Sequence, residues 1–403
     1  HTTLFESSAA SDVYKRQAQS QQGVVDMPLA LDILSEKFGE YPFSNEKYGM
    51  TQLGFYGAIE NQTNTITNNM FPSWFMISVH ELGHMWFGDN ITCESWHHAW
   101  LNEGFASYSE AVYVEGADGF DAYQQYMEGF EYYNGGTLYL QNAGDTFNIF
   151  QGIIYRKGAY TLHMLRGVMG DSLFFEAIHD YATHPDFIYA QATTEDFQSV
   201  CEDVYDDGLG FFFDQWIYDE YYPSYRYNFQ NQGDELVFAI QQVQGNAGRR
   251  PVFEMPVEVS FMFDGGGDTT IRIWNDEEYQ VFSVPVSDAA WTMSLDPDNW
   301  ILCQKTFDPQ LPVGVEDLSL STSSISIYPN PIVNTAWIEI NSDDNEAVDF
   351  VCYNVSGQRV LEMKNLYNGV HSIDRGSLQS GVYIYKVISS AQDVLQSGKI
   401  IMK

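Results

Sequence analysis

The stretch that decides this chain is His80-Glu81-Leu82-Gly83-His84, followed after 18 intervening residues by Glu103 in Trp100-Leu101-Asn102-Glu103-Gly104. Residues i and i+4 of a helix share a face, so His80 and His84 can aim imidazole nitrogens at one ion. A glutamate from a second helix completes a three-ligand zinc site and leaves the fourth position for water. Glu81 follows the first ligand and stands beside that water, where a general base is needed. The bland alternative is a solvated helix with incidental histidines.

Around this motif the helical period is clear. Pro72-Ser73 opens a helix expected to run through Met76, Val79, His80 and Leu82 to Trp86, with Gly88-Asp89-Asn90 as its breaker. A second helix carries Trp96, Trp100, Leu101, Phe105, Tyr108 and Val112 and is expected to end at Gly116. Further helical segments are predicted around 155–168, 171–183 and 193–205. Composition shifts at Tyr221-Tyr222-Pro223. From 226 to 308 apolar residues alternate, as in Val257, Val259, Phe261 and Phe263 ahead of the turn Asp264-Gly265-Gly266-Gly267. The last 79 residues read as short strands divided by turns such as Ser356-Gly357 and Ser380-Gly381.

The chain has 403 residues, of which 44% are hydrophobic and 16% aromatic, enough to bury sizeable cores in two or three domains. A formal charge of −37 makes nucleic acid an improbable partner. Residues 1–324 carry −35 of it. Such a surface suits substrates with a cationic amino terminus, and it is also ordinary for a soluble secreted protein. Cys93, Cys201, Cys303 and Cys352 lack short spacings and are expected to be buried thiols. No apolar run reaches the length of a membrane span.

Three more pieces surround the metal motif: Gly57-Ala58-Ile59-Glu60-Asn61, Trp86-Phe87-Gly88-Asp89, and Tyr155-Arg156-Lys157-Gly158-Ala159. Together with the two stretches above, they resemble the gluzincin zinc aminopeptidases of the aminopeptidase N-like family over roughly residues 24–308. The resemblance implies a multidomain α+β chain, with a thermolysin-like, mostly helical catalytic domain (18–225) followed by a small β-sandwich (226–308). It implies one Zn2+ held by His80, His84 and Glu103, with Glu81 as base and then acid. Tyr155 would steady the oxyanion, and Glu60 would grip the substrate's α-ammonium. Gly57, Ala58 and Asn61 would line the same substrate groove, where an extended peptide adds to a strand edge. Outside that context Tyr155 would be one of 27 tyrosines available for core packing. Glu110, seven residues after Glu103, is either a partner of a ligand or an ordinary solvated glutamate. His97 and His98 are expected to be structural. Ile59 departs from the family's usual methionine. The family's amino-terminal β domain and large carboxy-terminal helical domain are expected to be missing, leaving a more open cleft.

The carboxy-terminal stretch, from Ile325-Ser326-Ile327-Tyr328-Pro329-Asn330-Pro331 through Gly381-Val382-Tyr383-Ile384-Tyr385-Lys386 to Gly398-Lys399-Ile400-Ile401-Met402-Lys403, resembles the sorting domains read by the type IX secretion system of certain Gram-negative bacteria. That resemblance implies an Ig-like β-sandwich (325–403) after a linker (309–324), with export across the outer membrane to the cell surface or medium. The alternative is a generic β-sandwich that binds carbohydrate or another domain. At the other end, Asp12-Val13-Tyr14-Lys15-Arg16-Gln17 back-translates to a string resembling the mosaic end of a library-preparation transposon. Residues 1–17 are therefore expected to be a non-native leader rather than a natural polar one. The sequence as a whole predicts an exported zinc aminopeptidase acting on peptides with a free amino terminus. Its rivals are a zinc endopeptidase of the same fold and a surface binding protein that has lost activity.

Overall fold

The structure, a computed structural model, describes residues 24–54, 57–144, 146–244, 250–313, 324–341, 347–354, 359–376, 378–389 and 394–403. The expected leader (1–17), the Ser356-Gly357 turn and most of the expected linker lie outside these. The chain divides into two compact units, one ending at Pro312 and one beginning at Val313.

The first unit begins with α1 (Met27–Phe38), where Ala30, Ile33, Leu34 and Phe38 recur at helical spacing and are all buried. A small sheet follows, with β1 (Gly49–Gln52) parallel to β3 (Asn64–Thr67) and β2 (Ala58–Ile59) antiparallel to β3 on its other side. A single 3-10 turn over Pro72–Trp74 leads into α2 (Phe75–Gly83). The expected helix from Pro72-Ser73 to Trp86 is thus shorter at both ends. Proline starts a tight turn rather than an α-helix, and the chain bends after Gly83 to bury Met85, Trp86 and Phe87. His84 is the residue just past the helix, still with helical dihedrals (φ −61°, ψ −20°), so it keeps the same face as His80.

β4 (Ile91–Cys93) precedes α3 (Trp100–Asp118), two residues longer than the expected end at Gly116. Twelve of the nineteen residues of α3 are buried, so it is a central helix covered on several sides rather than an amphipathic surface one. α2 packs on it, as do α4 (Phe120–Glu128) and α5 (Gly158–Met169). The turn before α5, Ile153–Lys157, is π-helical. α6 (Asp171–Thr183) and β5 (Ala190–Ala192) follow, β5 pairing in parallel with β4. α7 (Thr194–Tyr205) opens on a capping box between Thr193 and Asp196. A second π-helical turn covers Asp214–Tyr218.

Residues 224–307 form two sheets. One has the order β10 (Tyr279–Pro285), β7 (Glu235–Gln242), β6 (Ser224–Gln232), β12 (Gln304–Phe307); the other has β11 (Ala290–Leu295), β8 (Met255–Phe263), β9 (Asp268–Asn275). Met255, Val257, Val259 and Phe261 alternate inward along β8, and Phe238 of β7 meets Phe261 with ring centroids 5.3 Å apart. These strands share one buried apolar cluster with the helices, extending from Met27 to Cys303. Trp216 packs on Phe253, and Arg272 donates to the carbonyls of Gly167 and Val168 at the end of α5.

In the second unit, a three-stranded sheet, β13 (Ser324–Tyr328), β14 (Thr335–Asn341), β17 (Gly369–Asp374), accompanies a four-stranded one. The latter has the order β16 (Arg359–Leu366), β15 (Val348–Tyr353), β18 (Gly381–Ser389), β19 (Val394–Met402). Ile338, Ile340, Phe350, Val387 and Ile400 meet in its core. Asn330 fastens the last strand by donating to the Lys399 carbonyl (2.8 Å) and accepting from the Ile401 N–H (2.9 Å). All four cysteines are buried free thiols, as the spacing suggests. No helix among the described residues is long and apolar enough to cross a membrane.

Candidate metal centre

Two helices meet closely enough to build the site because small residues lie between them. A Cβ added at Gly83 would fall 2.5 Å from Ser109 Oγ and 3.2 Å from the Ala106 Cα, so α2 and α3 touch almost backbone to backbone. At that distance the His80 and His84 rings reach the Glu103 carboxylate. Glu103 Oε2 lies 3.4 Å from His80 Nε2 and 3.3 Å from His84 Nε2. A tetrahedral ion with bonds of 2.0–2.1 Å has ligand–ligand edges of ~3.3 Å, so these donors stand where such an ion needs them. All three residues are largely withdrawn from water.

The far side of each ring is also tied. His80 Nδ1 faces Glu110 Oε1 at 3.0 Å, and Tyr126 donates its hydroxyl to the other oxygen of Glu110 at 2.6 Å. His84 Nδ1 donates to the Phe87 carbonyl at 3.1 Å. Both partners fix the tautomer that leaves Nε2 free as a ligand. Trp86 holds the turn beyond His84 by donating to the Gly39 carbonyl. Among the protein groups alone, burial acts to lower the His80 pKa, but bonding to Glu103 and Glu110 outweighs it and raises the group to about 10. Burial acts to raise Glu103, and the two imidazoles overcome it, holding this carboxyl well below the usual carboxylate range. The site therefore presents an ionised carboxylate between two rings whose protons a divalent cation would displace.

Glu81 is buried, and burial pushes its carboxyl up to about 7 despite the neighbouring histidines. Carboxylate oxygens of Glu60 and Glu81 and a ring nitrogen of His84 all lie within 4.8 Å of one another. Glu60 follows β2, whose register against β3 (Ala58 opposite Thr67, Ile59 opposite Ile66) sets its position. Gly57, at φ +108°, accepts at its carbonyl from the Asn68 N–H, and the Asn61 carbonyl accepts from Asn64 N–H, closing the turn between the two strands. This segment is half-exposed, whereas His84 and Glu103 are buried.

Tyr155 reaches the same place from the π-helical turn. Its ring stacks on His80 with centroids 5.9 Å apart and planes 25° apart. Burial raises its hydroxyl, and the Glu103, Glu60 and Glu81 carboxylates raise it further, so it remains a proton donor at neutral pH. The approach again depends on small residues: a Cβ on Gly158 would sit 2.9 Å from the Gly104 Cα.

A model of the Peptidase family M1 domain matches residues 46–216. The chain carries a peptidase family M1 domain. A second match, to the secretion system C-terminal sorting domain, covers residues 326–403. Curated relatives of the M1 domain include Aminopeptidase M1-B of Oryza sativa subsp. japonica, 28% identical over 241 residues, which covers 52% of this chain and 27% of that protein. Aminopeptidase N of Streptomyces lividans is 29% identical over 176 residues, covering 37% and 20%. The chain thus spans about a quarter of the length of these relatives. The crystal structure of Legionella pneumophila aminopeptidase A in complex with aspartic acid has the same fold at TM-score 0.59 and 16% identity, covering 73% of this chain and 36% of that one.

Several residues of the M1 domain that shape the centre were not singled out from sequence. Tyr126 sits 16 residues from Glu110 on a different helix, and no spacing rule joins them. Asp89 belongs in sequence to the helix breaker and to the Trp86-Phe87-Gly88-Asp89 motif, neither of which gives it a role of its own. Burial raises its carboxyl to about 7, with the charge of His84 opposing and those of Glu60 and Glu81 adding, and its Oδ2 is buried without a hydrogen-bond partner among the described residues. The helix-facing glycines did carry a signal, since glycine inside a helix costs about 1 kcal/mol and usually has a packing reason. His98, read as structural, bonds the Thr194 hydroxyl inside the core, and His97 bonds the Leu140 carbonyl.

Proposed function

We propose that this chain is the catalytic part of an exported zinc aminopeptidase. In this reading residues 18–225 are the peptidase domain and 226–308 a β-sandwich support. Residues 309–324 are a linker, and 325–403 are the signal read by the type IX secretion machinery. His80, His84 and Glu103 hold one Zn2+, whose chemistry is Lewis acidity toward water and toward a peptide carbonyl. The observation that carries the reading is the pair of 3.3–3.4 Å edges among these donors, with the Glu81 and Glu60 carboxylates alongside.

Glu81 takes the proton of the attacking water and returns it to the departing amine. A carboxyl poised near neutrality suits both halves of that transfer. Tyr155 donates its hydroxyl to the oxyanion as the carbonyl becomes tetrahedral. Glu60 takes the α-ammonium of the substrate, with Gly57, Ala58 and Asn61 forming the strand edge beside it. The Glu60 carboxylate lies within 4.8 Å of Glu81, close enough that an amine held there presents the first peptide bond to the base. The distance therefore favours release of a single amino-terminal residue.

Hydrolysis of matched peptides with free and acetylated amino termini tests this, with and without a chelator. Only the free form should be cleaved, in a chelator-sensitive way. Glu60→Gln should raise KM for it on the order of 10-fold, the scale of one hydrogen bond to a charge. Equal cleavage of both forms would establish an endopeptidase. Absence of bound zinc and of cleavage would leave a binding protein.

A further inference from the structure

Lys157 is a charged side chain in a place where charge is costly. It is 1% exposed, and burial lowers its ammonium to about 8. An apolar side chain would fill that space without the desolvation cost, so a lysine there calls for a geometric reason. Its Nζ donates to two backbone carbonyls, Gly136 and Asp219, each at 3.3 Å. These carbonyls belong to separate segments. Gly136 lies in the loop after α4, where its N–H donates to Glu220 Oε2 and where a Cβ would strike Ile153 at 2.8 Å. Asp219 directly follows the second π-helical turn, whose Ile217 carbonyl accepts from the N–H groups of Leu138 and Tyr139. Arg156 ties the same loop by donating to the Glu131 carbonyl at 2.7 Å. The two residues after Tyr155 are therefore both anchored away from the metal centre, while Tyr155 itself turns toward His80.

We propose that Lys157 is a positioning residue that pins the π-helical turn to the Gly136 loop and the 214–219 segment, and so fixes the Tyr155 hydroxyl over the carbonyl being attacked. π-helical turns interrupt the regular backbone ladder and recur at functional sites. Here the π-helical turn runs straight into α5, and side-chain bonds from Arg156 and Lys157 tie it to two neighbouring segments. A displacement of about 1 Å at the reacting groups can cost on the order of 100-fold in rate. The inference rests on the reading of Tyr155 as the oxyanion donor.

The test compares Tyr155→Phe, Lys157→Met and the double variant in the full zinc-loaded chain. The readouts are zinc content, kcat and KM on a free-amine peptide, and affinity for a peptide phosphinate, whose tetrahedral P–O− stands in for the oxyanion. Lys157→Met should keep one zinc and a KM within a few-fold, lower kcat about 10- to 100-fold, and weaken phosphinate binding in parallel. In the Tyr155→Phe background the same change should do almost nothing further, because the group it positions is gone. Lys157→Gln, which keeps two N–H donors on a stem one bond shorter, should retain more kcat than Lys157→Met and carries the test if the methionine variant unfolds. Losses that multiply in the double variant, or a Lys157→Met chain as active as the parent, would overturn the inference and leave the proposed function standing. A Tyr155→Phe chain with unchanged kcat and phosphinate affinity would instead remove the reading on which it rests.

Discussion

The two sides of the candidate site are built differently. The ligand side, which we propose to hold the ion and move the proton (His80, Glu81, His84 and Glu103), lies on helices in near backbone contact, with each imidazole held from behind by Glu110 or the Phe87 carbonyl. The Gly57–Asn61 side hangs on a two-residue strand, half-exposed, positioned by two register pairs and a turn. Rigid placement matters most where an ion and a proton transfer demand tolerances of a few tenths of an ångström. A charged amine gripped by one carboxylate tolerates more. The contrast therefore predicts that changes on the ligand side act on turnover and metal, whereas changes on the Glu60 side act on KM.

The largest separation should come from Glu81→Gln. This substitution keeps the size of a buried side chain and removes only its ability to take a proton. Zinc content and phosphinate affinity should stay close to the parent, while kcat falls about 100- to 10,000-fold. Loss of zinc in this variant would mean that Glu81 belongs to the ligand set, and the division between holding the ion and moving the proton would fail. Glu110→Gln should do the complementary thing. It weakens the partner of His80 Nδ1 without touching the groove, so zinc affinity in a competition with a chelator should drop about 10- to 100-fold. With zinc in excess, KM should be unchanged. An unaltered zinc affinity would mean that the 3.0 Å contact contributes nothing to the centre.

How much of this was legible follows from the range of each interaction. The His80/His84 pairing and the two helices around it are local, written in a 3.6-residue period, and the helices form over the expected segments with displaced ends. Glu103 was reachable because its distance along the chain from His84 is a motif in itself. The end of α2 falls three residues early because Trp86 and Phe87 turn into the core, and its start falls late because Pro72 opens a 3-10 turn. Glu110 stayed open between two readings until its partners, 30 residues away on α2 and 16 away on α4, were in place. Lys157 gave no warning, since a lysine at the end of a turn is ordinarily solvated. Its burial is set by two loops that meet only in the folded chain. The backbone of both π-helical turns was likewise invisible, as no side-chain period marks them.

The smallest expected effect concerns the core beneath the ligand side. His163 on α5 is buried and stacks on Trp300. Its Nδ1 faces the Tyr123 hydroxyl at 2.7 Å and its Nε2 faces the Asn299 carbonyl at 3.1 Å, so the ring accepts from the first and donates to the second as a neutral tautomer. Burial pushes its pKa down to about 3, from the ordinary 6.5 that holds in the unfolded chain. The sign follows directly: below pH 6.5 the unfolded state takes up a proton that the folded state refuses. Stability from this residue is therefore whole above pH 6.5 and is lost steadily as pH falls toward 3. The slope is about 1.4 kcal/mol per pH unit, or roughly 2 kcal/mol between pH 6.5 and 5. His163→Gln keeps one donor and one acceptor and does not titrate. In denaturant titrations of the chelator-treated chains, the stability gap between parent and variant should narrow by that amount from pH 7.5 to 5. Because every other titrating group is common to both chains, a gap that stays constant over this range would show that His163 takes up its proton inside the fold. The neutral tautomer bridging Tyr123 and Asn299 would then be the wrong account of how α5 is held.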